Sequence, residues 1–458
     1  MTSYLTTHHG RGSRKDPRPT RLIPLVALAA LLASPAAAQT YETLYSFQGH
    51  PGGAVPEGAL VIAPNGVLYG TTQGGGAYGL GSVFELTKPT GQPWKETVLH
   101  SFSGSDGQYP ESTLVFGSSG VLYGTTLGGN GVAGTIFQMA PPSTSGAAWT
   151  LTVLHPFPYN SDDGQNFSPN GAVLPGPGGT LYATTQGPGS PELGLAIALA
   201  PPSRSGGDST EYQLYSFAGA ADGGGPLAGV VSEGGSLFGT AASGGEFGCN
   251  EFGCGVVFQL TPGPTHGTAW TESVLHTFGE TPDDGAGPFA ALTVGPGGAL
   301  YGTTRNGGSG SACQANAPNC GTVFQLVPPA SSGGAWTYSV LYNFTGTDGD
   351  GAAPVAGITV GANGVLYGTT ESGGSTASYS ACPGGGHTYP GCGILFQLTP
   401  PSTLGGTWTE TVLHSFSGQN GDGAIPVAGL VLSSGGVLYG TTSAGGTAGK
   451  GTAFAIEP

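Results

Sequence analysis

Basic residues are few in this sequence: 10 Lys and Arg stand against 26 Asp and Glu. Five of the ten and one of the 26 lie in residues 1–38, which leaves 5 against 25 in the remainder, a net charge of −20. The basic residues that remain, Lys88, Lys95, Arg204, Arg305 and Lys450, are isolated single charges. Nucleic-acid binding needs a basic stripe that releases counterions from phosphates, so that class is excluded. Long apolar runs are also missing. Leu22–Ala33 is too short to span a bilayer comfortably, and after residue 38 no helical period appears. No G-x-S-x-G elbow, phosphate loop or H-E-x-x-H occurs with the strand and helix context it would need, and glycine is too common for Gly-x-Gly matches to count. No cofactor and no metal are expected.

Charged residues of both signs are sparse while Gly, Thr, Ser and Pro abound, a profile that would fit disorder were the apolar residues not periodic. Short alternating runs of Val, Ile, Leu, Phe, Tyr and Trp, punctuated by Gly, Pro and Asn, predict many short strands and tight turns. The run Gly66-Val67-Leu68-Tyr69-Gly70-Thr71-Thr72 organises the whole chain. Its aromatic position recurs as Tyr69, Tyr123, Tyr182, Phe238, Tyr301, Tyr367 and Tyr439, within strands expected at 67–72, 121–126, 180–185, 236–241, 299–304, 365–370 and 437–442.

Each repeat carries four strand-like runs, A to D, in the first copy Ala59–Ala63, Val67–Thr72, Ser82–Thr87 and Trp94–Phe102. Run C appears seven times, from Val83-Phe84-Glu85-Leu86 to Ala453-Phe454-Ala455-Ile456. Run D appears only six times after a run C. The seventh copy, residues 41–47, precedes every other run, and the chain ends directly after its last run C. An open solenoid gains nothing from this permutation, whereas a ring is closed by it. The expected fold is therefore an all-β, seven-bladed β-propeller of four antiparallel strands per blade, with strand 41–47 completing the last blade. Small residues after a recurrent proline place run A innermost, and its Trp places run D outermost.

The repeated L-Y-G-T-T, G-T-V-F-Q-L and W-T-E-T-V-L-H-S-F blocks resemble the GloVer (Gloeo_Verruco) tandem-repeat family of bacterial secreted proteins, over essentially all of residues 41–458. The resemblance implies an exported or surface propeller and transfers no catalytic residues. Copy three departs from it, with Ala183 for glycine and Ala196-Ile197-Ala198 in run C, so an irregular third blade is expected.

Residues 1–38 read as a secretory signal peptide: a basic segment with Arg11, Arg14, Lys15, Arg18 and Arg21, the apolar run, then Ala36-Ala37-Ala38. An uncleaved anchor is the alternative, which the short apolar run disfavours. Residues 39–458 then form one exported domain, expected to be a monomer with no membrane span. The six cysteines fall in three close pairs between runs B and C, Cys249 with Cys254, Cys313 with Cys320 and Cys382 with Cys392. In an exported chain these are loop disulfides; zinc is the rival, but each loop supplies only two ligands at the wrong spacing.

His100, His155, His276 and His414 share one run-D position with Tyr45, Tyr215 and Tyr342, so a structural role is expected and convergence on one ion is not. Trp94, Trp149, Trp270, Trp336 and Trp408 read as packing between blades, although they would also suit a sugar platform. Asp-Gly pairs before run A supply turn chemistry, yet their carboxylates could hold a cation or meet a sugar, so Asp106, Asp284 and Asp350 remain candidates for binding. The sharper candidates come from broken symmetry. After the recurrent proline stand Glu57, Glu111 and Asn170, then Leu227, Phe289, Val355 and Val427. Because alternating strands bring the B–C and D–A connections to one face, this position should give the channel mouth one polar and one apolar side. Glu57 and Glu111 could act as an acid and base if separated by roughly 5–9.5 Å. Binding of an extracellular glycan or protein through this face is the expected function, with a polysaccharide hydrolase or lyase as the rival.

Overall fold

The glycine of L-Y-G-T-T is required by what lies across the sheet. A Cβ on Gly70 would stand 2.6 Å from Cζ of Phe84, and Gly124, Gly239, Gly302, Gly368 and Gly440 face Phe137, Phe258, Phe324, Phe396 and Phe454 just as closely. Strand C thus lays a buried phenyl ring over strand B, and only a residue without a side chain fits beneath it. In the third repeat the ring is replaced by Ile197, and Ala183 takes the place of the glycine. The two departures compensate each other. Blade three is a regular four-stranded sheet, so the expected irregularity is not found.

The computed structural model describes residues 39–144, 146–158, 168–187, 193–202, 208–245, 249, 253–263, 270–281, 283–309, 320–331, 333–375, 382, 391–403 and 405–458. Residues 1–38, with the expected signal peptide, lie outside them. Gln39–Pro458 form one compact unit. Seven four-stranded antiparallel sheets follow one another in it, each in the order A-B-C-D. In the first blade the strands are Val61–Ile62, Leu68–Thr72, Ser82–Thr87 and Lys95–Ser101. The fold is a seven-bladed β-propeller. Its last blade takes strand D from the start of the chain, Thr40–Ser46, which pairs with Thr452–Glu457 in a register running from Thr40 opposite Glu457 to Ser46 opposite Thr452.

Run A pairs within its own blade over only two residues, three in the fourth blade, fewer than the sequence suggests. The reason is that its first residues serve the neighbouring blade. The Thr71 hydroxyl donates to the carbonyl of Ser112 at 3.0 Å, and Thr125, Thr184, Thr240, Thr303 and Thr369 do the same toward Gly171, Ala228, Ala290, Ala356 and Ala428. Thr441 completes the circle on Gly58. The first threonine of each Thr-Thr pair, and Thr240 where Ala241 follows instead, therefore makes an inter-blade hydrogen bond, each worth a net ~1 kcal/mol.

Packing repeats the same logic. Phe47, Phe102, Phe217, Phe278, Phe344 and Phe416, at the end of strand D, meet the strand-C phenylalanine of the next blade with ring centroids 4.9–5.3 Å apart. The apolar core accordingly lies in layers between blades. Strand D also carries a one-residue bulge in every blade, at Leu44, Leu99, Leu154, Leu214, Leu275, Leu341 and Leu413. Such a bulge bends and twists the outermost strand.

Candidate functional site

The D–A and B–C connections do meet on one face. Gly53–Ala54 pairs with Gly74–Gly75, and the equivalent two-residue ladders recur at Gly285–Ala286, Gly351–Ala352 and Gly423–Ala424. On this face the innermost ends of the seven blades surround a central cavity of about 310 Å³. Glu57, Glu111 and Asn170 line one arc of it, and Leu227, Phe289, Val355 and Val427 line the rest. The walls beneath are small residues such as Ala59, Gly171, Ala290 and Ala428, which crowding at the axis demands.

The polar arc has uncommon electrostatics for an acidic surface. Burial, then the nearby charge of Glu111, pushes the Glu57 carboxyl up to about 7. Burial also raises Glu111, opposed by a hydrogen bond of 2.5 Å from the Gln73 side-chain amide. Asn170 donates to Gln186 Oε1 at 2.9 Å, which leaves its own Oδ1 buried and without a hydrogen-bond partner. A cavity so arranged presents acceptors, and near neutral pH a proton held by Glu57 adds a donor.

Gln73 and Gln186 belong to a second symmetry-breaking position, the residue after Thr-Thr or, in the fourth blade, after Thr240-Ala241, filled elsewhere by Leu127, Ala242, Arg305, Glu371 and Ser443. Sequence reasoning passed over it, although its variation among otherwise uniform repeats is the same signal that marks Glu57 and Glu111. Arg305 reaches Glu371 at 3.3 Å and lies 5.8 Å from the centroid of Phe289, joining the second position to the apolar arc.

The structure places Asp106, Asp284 and Asp350 elsewhere. None lines the cavity. Asp106 accepts from the backbone N–H of Ser103 and pairs with His100 at 2.7 Å; Asp284 accepts from Gly279 and Gly285 and pairs with His276 at 3.2 Å. Burial pushes both upward, but these bonds outweigh it and hold both carboxyls below the ordinary aspartate value. Asp350 closes its turn through Thr345 and Gly351, yet burial prevails and its carboxyl sits above the usual value.

Three run-D histidines are parts of clamps between blades, and of these His155 meets Glu211 of the next blade at 2.7 Å. His414 pairs with Asp422 at 3.1 Å while Tyr41, from the blade that follows, stacks on its ring at 3.7 Å; Tyr338 stacks on His276 at 3.6 Å and donates to Asp284. Where the first blade of a pair offers tyrosine instead, the next supplies glutamate: Tyr45 meets Glu96, and Glu272 and Glu410 lie within electrostatic reach of Tyr215 and Tyr342. Gly52 occupies the aspartate position before the first blade, and Glu96 replaces the missing carboxylate, accepting from Gly53 N–H at 2.9 Å. Among the described residues no group of three or more His, Cys, Asp or Glu could hold a metal ion. Three of the tryptophans pack edge-on against aromatic residues of the preceding blade, Trp149 on Tyr69, Trp270 on Tyr182 and Trp336 on Phe238.

Cys249–Cys254 and Cys382–Cys392 are disulfides. Cys320 is disulfide-bonded as well, and its expected partner Cys313 lies outside the described residues. Cys254, Cys320 and Cys392 accept at their carbonyls from Gly287, Ala353 and Ile425 in the D–A connections, so they sit on the face of the cavity mouth.

Solved structures match the chain at low identity. The extracellular domains 1–2 of Drosophila Semaphorin 1a match at 12% identity and a TM-score of 0.47, covering 91% of this chain and 88% of that one. A polysaccharide lyase matches at 12% and 0.47, covering 90% and 92%. The α-L-arabinofuranosidase of Fusarium graminearum, solved with arabinobiose, matches at 14% and 0.41, covering 75% and 90%. No curated protein matches the chain. The family model of the Gloeobacter/Verrucomicrobia repeat matches residues 31–167 and 144–382, more than half of the chain, and this protein belongs to that family.

Proposed function

We propose that this protein is an exported, non-enzymatic scaffold that binds a glycan through the cavity at the channel mouth. One observation carries the reading: at a single repeat position, seven blades that are otherwise alike contribute a polar arc of Glu57, Glu111 and Asn170 and an apolar arc of Leu227, Phe289, Val355 and Val427 to one cavity. Residues that serve the fold repeat, as the seven threonine bonds do, whereas a single site needs positions that differ. Hydrogen-bonding groups on one side and apolar surface on the other orient a ligand with hydroxyl edges and C–H faces, which describes a sugar. Export is supported by the segment at residues 1–38 and by the disulfides, which persist in oxidising compartments. Alkylation without reductant should then modify none of the six cysteines, including Cys313 and Cys320.

Binding is tested on a glycan array with the parent protein, Glu57→Gln and Glu111→Gln, and with Lys88→Gln, an exposed residue, as control. Weakened signal in the first two variants alone supports the site. Equal signal in all four removes it. A reducing-sugar assay on the same ligands tests the rival reading, a hydrolase or lyase, which the raised Glu57 carboxyl beside Glu111 favours because a group titrating near 7 can serve as general acid at neutral pH.

A further inference from the structure

Four large apolar side chains are exposed among the described residues, and two of them, Tyr78 and Tyr109, stand on two hydrogen-bonded connections of the face that carries the cavity mouth. Tyr78 is 65% exposed and belongs to the B–C connection of the first blade; Tyr109 is 40% exposed and stands two residues before Glu111. The two connections are joined where Tyr109 N–H donates to the carbonyl of Leu80 at 2.9 Å. Neither ring is called for by the fold. The loop of the seventh blade, equal in length, has Ala448 where Tyr78 stands, and the position of Tyr109 is filled by Val55, Gly225, Gly287, Ala353 and Ile425, all with φ between 55° and 64°, and in the third blade by Ser168. The backbone there is dictated by the repeat, and the aromatic side chain is particular to this place.

Resting on the glycan-binding reading above, we propose that Tyr78 and Tyr109 form an aromatic shelf outside the mouth, and that the ligand is a neutral polysaccharide chain with one unit in the cavity and further units lying on the shelf. Tyrosine suits a sugar ring because it offers an apolar face to the C–H groups and a hydroxyl to the edge. A neutral chain is favoured over a uronate or sulfated one by the carboxylates at the mouth and by the strongly acidic chain as a whole. Continuity with the polar arc through Glu111 is what distinguishes this pair from Tyr212, which is exposed alone on an outer strand.

Affinity electrophoresis of the full chain tests the proposal, in gels holding a mixed-linkage β-glucan, arabinoxylan, galactomannan, starch or, as the anionic arm, polygalacturonate. The parent protein should be retarded by at least one neutral polymer and not by polygalacturonate. Tyr78→Ala with Tyr109→Ala should weaken that retardation at least ~5-fold. Both changes install the residue that another blade already uses at the same position, so the fold should hold, and an unchanged melting temperature confirms it. Retention that is unchanged in the double variant overturns the shelf while leaving the cavity reading intact. Retardation by polygalacturonate alone, or by no polymer, also overturns the proposal; in that last case Glu57-dependent binding of short glycans on the array would still uphold the cavity.

Discussion

The hydroxyl of Thr441 donates to the carbonyl of Gly58 at 3.2 Å, joining the last blade to the first. It is the same bond that Thr71 makes to Ser112, and it lies 383 residues apart in sequence because the ring closes there.

Closure should therefore be measurable at either of its two seams. Thr441→Val removes the bond and leaves a buried carbonyl without its donor, with an expected loss of about 1–3 kcal/mol in denaturant unfolding. Deleting residues 39–48 removes the strand that covers Thr452–Glu457 and should lower both the melting temperature and the cooperativity. Unaltered unfolding in the deletion variant would contradict a closed ring.

The compensation between Ala183 and Ile197 gives a second prediction. Gly368→Ala should cost about 1–3 kcal/mol, since its Cβ would meet Phe396 Cζ at 2.5 Å and the core must shift. In the third blade, Ile197→Phe should be costly alone and much less so with Ala183→Gly, with a coupling of about 0.5–3 kcal/mol in a double-mutant cycle. Simple additivity would contradict the packing account.

Much of this was legible in the chain because each blade is written out separately. The copy of run D at residues 41–47 betrayed the closure, and the three departures Glu57, Glu111 and Asn170 betrayed the polar arc. What stayed hidden depends on contacts between residues far apart in sequence. Ala183 and Ile197 looked like decay of the repeat until the ring stacked over the glycine showed them to be one exchange. Glu96 gave no sign that it stands in for an aspartate missing at Gly52, 44 positions earlier. The Asp-Gly pairs could be read as turns or as ligands, and only their histidine and tyrosine partners locate them between blades.

Stability should pass through a maximum in mildly acidic solution. Burial, then the charges of Asp222 and Asp350, raises Glu272 and Glu410 to about 7. A carboxyl raised in the folded state contributes stability that is fully present below its unfolded value, about 4.3. That contribution is lost as pH rises through about 7. Asp106, Asp284 and Asp422 are shifted the other way, so their contribution is present above about 3.9 and lost as pH falls through their lower folded values. Melting temperature should thus fall on both sides, and Glu272→Gln with Glu410→Gln should flatten the alkaline limb alone. An alkaline limb identical in the double variant would contradict the assignment.

If the mouth of the channel, where the repeat breaks its symmetry, is the working site, its ligand should sense the charge on Glu57. Isothermal titration of a neutral glycan identified on the array, at pH 6 and pH 8, into the parent protein and into Glu57→Gln, tests it most directly. The raised Glu57 carboxyl is protonated at the lower pH and ionised at the higher, so affinity for the parent should change by several-fold between them. Glu57→Gln, which cannot ionise, should bind with little pH dependence. Equal pH dependence in both proteins, with unchanged affinity in the variant, would place the ligand somewhere other than this cavity.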